Sequence, residues 1–199
     1  MLRRVHPLAL AAALLAVALV IASLGPGERS LGANVRLVYL HGAWVWAALL
    51  GLGAAATCGA AGLVTRRAAW HDRSRALGLA GMAFWVTYLP ISVLTMQMNW
   101  NGLFLQEPRW RIGLDFALVG VGLQIGWKLL DKPSWTSAGN LLFFAALTLA
   151  LAGAQQVMHP PSPIAASGSA TIQGFFLALL AVTLIAEWQL ARWLRAVRA

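Results

Sequence analysis

The sequence predicts an all-α protein, an integral membrane bundle of six transmembrane helices with both termini in the cytoplasm. Three observations lead to that class. Hydrophobic residues make up 60% of the 199-residue chain and charged residues only 11%, with a mean hydropathy of +0.71, a balance that could not cover the surface of a soluble domain with polar groups. The apolar residues fall into runs long enough to cross a bilayer. The 15 Lys and Arg outnumber 6 Asp and Glu and gather in short segments between those runs. Retention on the cytoplasmic side explains the formal net charge of +9 without a nucleic-acid partner.

The first span is expected at about residues 8–24, an uncharged run behind Arg3 and Arg4 and closed by Gly25-Pro26-Gly27. It is long for a signal-peptide core and no clear small-x-small site precedes the turn, so an uncleaved helix is expected, a cleaved signal being the alternative. The second, about 37–64, lies in the charge-free stretch between Arg36 and Arg66 and opens with Leu37-Val38-Tyr39-Leu40-His41-Gly42-Ala43-Trp44. Its glycines Gly51, Gly53, Gly59 and Gly62 allow neighbouring helices to approach closely. A basic loop, Arg66 to Arg75, leads to a third span at about 76–98, where Pro90 is expected to kink the helix.

The connector from Trp100 to Trp110, Trp-Asn-Gly-Leu-Phe-Leu-Gln-Glu-Pro-Arg-Trp, is aromatic, polar and charged where a simple link needs none of this. The fourth span follows at about 112–130, with Asp115 spaced from Arg111 so that the two can pair on one helix face. From Pro133 to Ala186 there is no charge, too long a stretch for one helix. Met158-His159-Pro160-Pro161-Ser162-Pro163 divides it into a fifth span at about 138–158 and a sixth at about 170–190. Residues 1–199 are thus expected to form one domain.

Counting charges orients the bundle. Alternate connecting segments hold eleven Lys and Arg on one side (Arg3, Arg4, Arg66, Arg67, Arg73, Arg75, Lys128, Lys132, Arg192, Arg195 and Arg198) and four on the other (Arg29, Arg36, Arg109 and Arg111). The richer side is expected to be cytoplasmic. His41, the Trp100–Trp110 connector and His159 then all face outward, while His6 and His71 lie among arginines on the inner side, solvated or at the headgroups.

Two histidines make a poor zinc site, which takes three or four protein ligands. Haem iron needs two axial ligands, and imidazoles from separate helices supply them, with aromatic rings over the macrocycle and Arg109 or Arg111 on its propionates. Each histidine also has a plainer reading, His41 in an aromatic belt beside Tyr39, Trp44 and Trp46, His159 as a turn residue before two prolines. The single cysteine, Cys58, and the absence of a C-x-x-C-H motif exclude covalent c-type haem attachment to this chain. No nucleophile elbow, H-E-x-x-H or phosphate-binding glycine motif is present, so no enzymatic turnover is expected.

The connector resembles the tryptophan-rich loop of the cytochrome c assembly proteins of the CcmC/CcsA type, W-G-x-x-W-x-W-D-x-R, flanked by two histidines. Trp100 stands at the first Trp, Asn101 at the Gly, Leu103 or Phe104 at the second Trp, Gln106 at the third, Glu107 at the Asp and Arg109 at the Arg. His41 and His159 match the histidines before and after the loop. The resemblance covers the topology of the whole chain but only about ten loop positions in sequence. It implies non-covalent, transient binding of haem b on the outer face of the plasma membrane during cytochrome c maturation. His41 and His159 would be the axial ligands. Trp100, Phe104 and Trp110 would form the platform, joined by Trp44 and Glu107, with Arg109 and Arg111 pairing with the propionates. The implied partners are lipid, a haem chaperone or apocytochrome c, and ABC transporter subunits. The alternatives are a cofactor-free scaffold or permease subunit whose outer loop docks a partner, and an electron-transfer subunit, which would want histidines on the inner halves of its spans.

Overall fold

The computed structural model describes residues 6–155, 157 and 163–197. These form six helices: α1 (Pro7–Ser23), α2 (Val35–Thr65), α3 (Ala68–Trp100), α4 (Pro108–Leu130), α5 (Pro133–Gly153) and α6 (Ala170–Ala196). The five from α2 to α6 are long and apolar enough to cross a membrane, and the chain is a multi-pass membrane protein. At 17 residues, α1 rises about 25 Å, somewhat less than a hydrocarbon core of about 30 Å.

The helix starts follow from local chemistry. Pro7, Pro108 and Pro133 stand at the first positions of α1, α4 and α5, where a missing N–H costs nothing. Ser169 caps α6 by accepting a hydrogen bond from Ile172 N. The ends of α2, α3 and α4 turn on Arg66, Asn101 and Asp131, each in the left-handed region, and each cap N–H bonds back to a carbonyl of the last turn.

Several boundaries lie away from the expected positions. The basic loop shrinks to Arg66 and Arg67, because α3 starts at Ala68 and carries Trp70 to Arg75 as its first two turns. At the other end α3 continues through Pro90 to Trp100. The proline removes one donor, and the helix runs on around it. The connector between α3 and α4 therefore spans only residues 101–107, with Trp110 already in α4. Helix α5 begins and ends about five residues earlier than expected, because Pro133 rather than the following Ser and Thr residues initiates it.

α2 and α3 form the central antiparallel pair, with α5 and α6 against both, α1 along α6, and α4 touching only α3 and α5 among the described residues. The core is built by α2 and α3, from Tyr39, Trp44, Leu52, Phe84, Trp85 and Tyr88, closed by Leu147 of α5 and Leu179 of α6. Small residues permit this packing: a Cβ at Gly51 would run into the Glu187 carboxyl, and one at Gly59 would meet the Ser137 carbonyl at 2.6 Å. Glu187 is thereby buried between α6 and α2.

The two ends of the bundle differ. The basic end carries a buried polar network: Asn140 donates to Ser74 O and Oγ, both at 3.0 Å, and accepts from Gln124 Nε2 at 3.3 Å, while Ser74 Oγ donates to Ala55 O at 2.8 Å. His71, expected to be solvated or at the headgroups, instead packs against Gly62 with Nδ1 2.7 Å from Ser137 Oγ. It lies within α3 rather than in a loop, on the face turned toward α2 and α5. The opposite end holds the 101–107 connector and is the loop end below.

Candidate functional site

Polar side chains pin the loop end together. Asn34, just before α2, donates from Nδ2 to Met98 O at 2.9 Å, and Asn99 donates back to Asn34 O at 3.4 Å. Arg36 Nε bonds Gly25 O at 3.0 Å and the Tyr39 hydroxyl bonds Pro26 O at 3.1 Å, so the α1–α2 turn is clamped onto α2. The end of α3, and the connector that leaves it, are thus held beside the first turns of α2, where His41 lies.

His41 is half-buried and its ring centroid stands 5.9 Å from that of Tyr88 on α3. Tyr88 packs in turn on Trp85 at 4.8 Å. The Trp85 indole donates from Nε1 to Gly113 O of α4 at 3.1 Å, and the Tyr88 hydroxyl lies on Gly113 itself, where any Cβ would overlap it. An aromatic line therefore runs from His41 across α3 to the first turns of α4.

Glu107 sets the start of α4. Its Oε2 accepts from Trp110 N at 2.7 Å, a capping bond that also places negative charge at the positive end of the helix. Glu107 is 8% exposed. Its second oxygen, Oε1, and the Trp110 Nε1 are buried without a hydrogen-bond partner among the described residues, which leaves an acceptor and a donor in one helical turn unsatisfied. Arg109 is half-buried on the same turn. Arg111 is exposed and donates from Nη1 to Gln106 Oε1 at 2.9 Å, in place of the expected pairing with Asp115, which is exposed further along α4.

The connector itself presents apolar surface. Trp100, Leu103, Phe104 and Leu105 are all exposed at the tip between α3 and α4. Trp44, expected beside them, is elsewhere: it is a core residue between α2 and α3, its ring 5.2 Å from Phe84 and its Nε1 bonded to Thr87 Oγ1 at 3.0 Å. Trp44 shares the α3-facing side of α2 with His41 but lies about 4.5 Å further along the helix, next to Phe84 rather than Tyr88. His159 and Met158 lie outside the described residues.

Tyr88, Trp85 and Gly113 are the contributors that sequence reading missed. A faint signal exists, since Trp85 and Tyr88 are three residues apart and share a helix face, but nothing in the chain says that this face meets His41 on one side and Gly113 on the other.

The chain is similar to heme exporter protein C of Bradyrhizobium diazoefficiens, at 26% identity over 185 residues, which covers 87% of this chain and 68% of that protein. No family model matches the chain. No solved structure matches it.

Proposed function

We propose that this protein binds haem at the loop end of its bundle and hands it on during cytochrome c maturation, as a binding and delivery module without turnover of its own. The observation that carries the reading is the convergence of His41, through the Tyr88 and Trp85 rings, with the α4 N-terminus, where a buried carboxylate oxygen and a buried indole N–H have no hydrogen-bond partner among the described residues. The similarity to a heme exporter protein C supports it.

In this reading the loop end faces outward across the plasma membrane, all six helices span it, and both termini are cytoplasmic, as the basic residues at the other end favour. His41 and His159 would hold haem b through their imidazoles. Trp100, Phe104 and Trp110 cover the macrocycle, Glu107 fixes the turn that holds them, and Arg109 and Arg111, at the positive end of α4, attract the propionates. Trp44 acts from below by holding α2 against α3. Haem, once bound, supplies an iron that two imidazoles can retain without a covalent link. The acceptor is a haem chaperone or an apocytochrome c, and an ABC transporter is the natural companion.

Hemin titration of the purified protein in detergent tests this. A sharpened Soret band with a low-spin spectrum is expected for the wild type, lost or converted to high spin in His41→Ala and in His159→Ala. Unchanged spectra in both variants would refute the ligand assignment. The exposed Leu103, Phe104 and Leu105 favour a second reading, a cofactor-free subunit whose loop docks a partner. That reading expects a colourless protein and loss of complex recovery when these residues are changed to Ser.

A further inference from the structure

Tyr88 is not one of the residues assigned to hold haem, yet its side chain meets both His41 of α2 and Gly113 of α4. It is 4% exposed. Its ring lies between His41 of α2 and Trp85 of its own helix, tilted at 57° to the first and 59° to the second. Its hydroxyl rests on the Gly113 backbone of α4, and the Glu107 carboxyl is within electrostatic reach of it. The Trp85 indole, bonded to Gly113 O, fixes the far side of the ring.

We propose that Tyr88 is a positioning residue for His41: wedged between the imidazole and the first turns of α4, it sets the ring orientation of His41 and transmits to it any displacement of the α4 N-terminus. The proposal rests on the reading of His41 as a ligand. The physical basis is close packing. A side chain with its face against one helix and its tip against a glycine on another has no free space into which to relax. Glycine at 113 is what lets the phenol reach α4 at all, since a methyl there occupies the position of the hydroxyl. A displacement of the α4 N-terminal turn would reach the imidazole through this contact.

The variants are Tyr88→Leu, which removes the wedge, Gly113→Ala, which pushes it, and Tyr88→Phe, which keeps the ring. Two measurements separate the proposal from the haem reading. The first is the rate at which diethyl pyrocarbonate modifies His41 in the haem-free full-length protein, followed by peptide mass spectrometry with His6, exposed and outside the bundle, as internal reference. The second is hemin affinity and midpoint potential. Tyr88→Leu and Gly113→Ala are expected to change the His41 rate several-fold relative to His6, to weaken hemin binding by about 10- to 100-fold as supporting residues of metal ligands do, and to shift the potential, while Tyr88→Phe stays close to wild type. Gly113→Ala alone carries the test if Tyr88→Leu fails to fold. An unchanged His41 rate and unchanged potential in both ring-displacing variants overturn the positioning role and leave the haem reading intact. A wild type that takes up no hemin, with the His41 rate still altered in the variants, supports the positioning role and overturns the haem reading.

Discussion

Glu107 is where a single residue decides most at the loop end. Its capping bond to Trp110 N starts α4 at the turn that carries Arg109, Trp110 and Arg111, so Glu107→Ala is expected to lower stability by about 1 kcal/mol, read as a fall in the thermal midpoint in detergent, and to loosen that turn. A Glu107→Gln variant, which retains an acceptor oxygen, should recover most of the loss. A second carboxylate acts in the α1–α2 turn. Glu28 accepts from the backbone N–H of Ser30 at 2.8 Å and of Leu31 at 3.0 Å, with Glu28 N and Gly32 N closing the same turn. These amide donors, Leu31 foremost, hold its carboxyl below the usual carboxylate range. A depressed value means that the bonds stabilise the turn fully above the ordinary carboxylate value and are lost as pH falls through the lowered one. Protection of the Ser30 and Leu31 amides from hydrogen exchange should collapse on acidification through that lower value, and Glu28→Gln should abolish the step.

Helix by helix, the bundle is held less by apolar area than by small residues and by polar groups that satisfy each other. Among the described residues α4 has only α3 and α5 as neighbours, and it leaves Leu118, Val119, Val121 and Ile125 exposed. Asn140 therefore matters beyond its size, because it joins Gln124 of α4 to Ser74 of α3. Asn140→Ala is expected to cost about 1–2 kcal/mol, since it removes both bonds to Ser74 and leaves the Gln124 amide without this partner, and unfolding in mixed micelles would measure it. Between α2 and α6, Gly51→Ala drives a methyl into the Glu187 carboxyl and should destabilise. Combined with Glu187→Ala it should cost much less, a coupling that a double-mutant cycle detects as non-additivity. Additive penalties would show that the two residues do not share the contact.

For the molecule as a whole, the prediction is one of sidedness. With Cys58, the single cysteine, replaced by Ser, Phe104→Cys should react with a membrane-impermeant maleimide in intact cells, whereas Arg67→Cys should react only after the membrane is opened. The reverse pattern would invert the bundle and remove the outward-facing site. The two ends have matching chemical characters: a polar network and basic residues at one, exposed aromatic and aliphatic side chains around the α4 N-terminus at the other.

The membrane class, the helical content and the neighbourhood of most boundaries were legible in the sequence because hydropathy runs, prolines and charge clusters are local to the chain and act where they stand. Composition also marked out the Trp100–Trp110 stretch and the position of His41 near the start of its helix as candidates, and the structure places both at the same end of the bundle. Trp44 shows the limit. The resemblance put it beside the connector's aromatic rings, and its depth along α2 puts it in the core against Phe84 and Thr87. His71 shows it again, since a histidine among arginines reads as solvated until α3 proves to begin before it and turns it toward Ser137. Which face of α3 meets which helix, and hence that Tyr88 joins His41 to Gly113, was settled only by the packing of small residues against large ones across elements far apart in sequence. Such complementarity depends on pairs of residues, and no single stretch of chain encodes it.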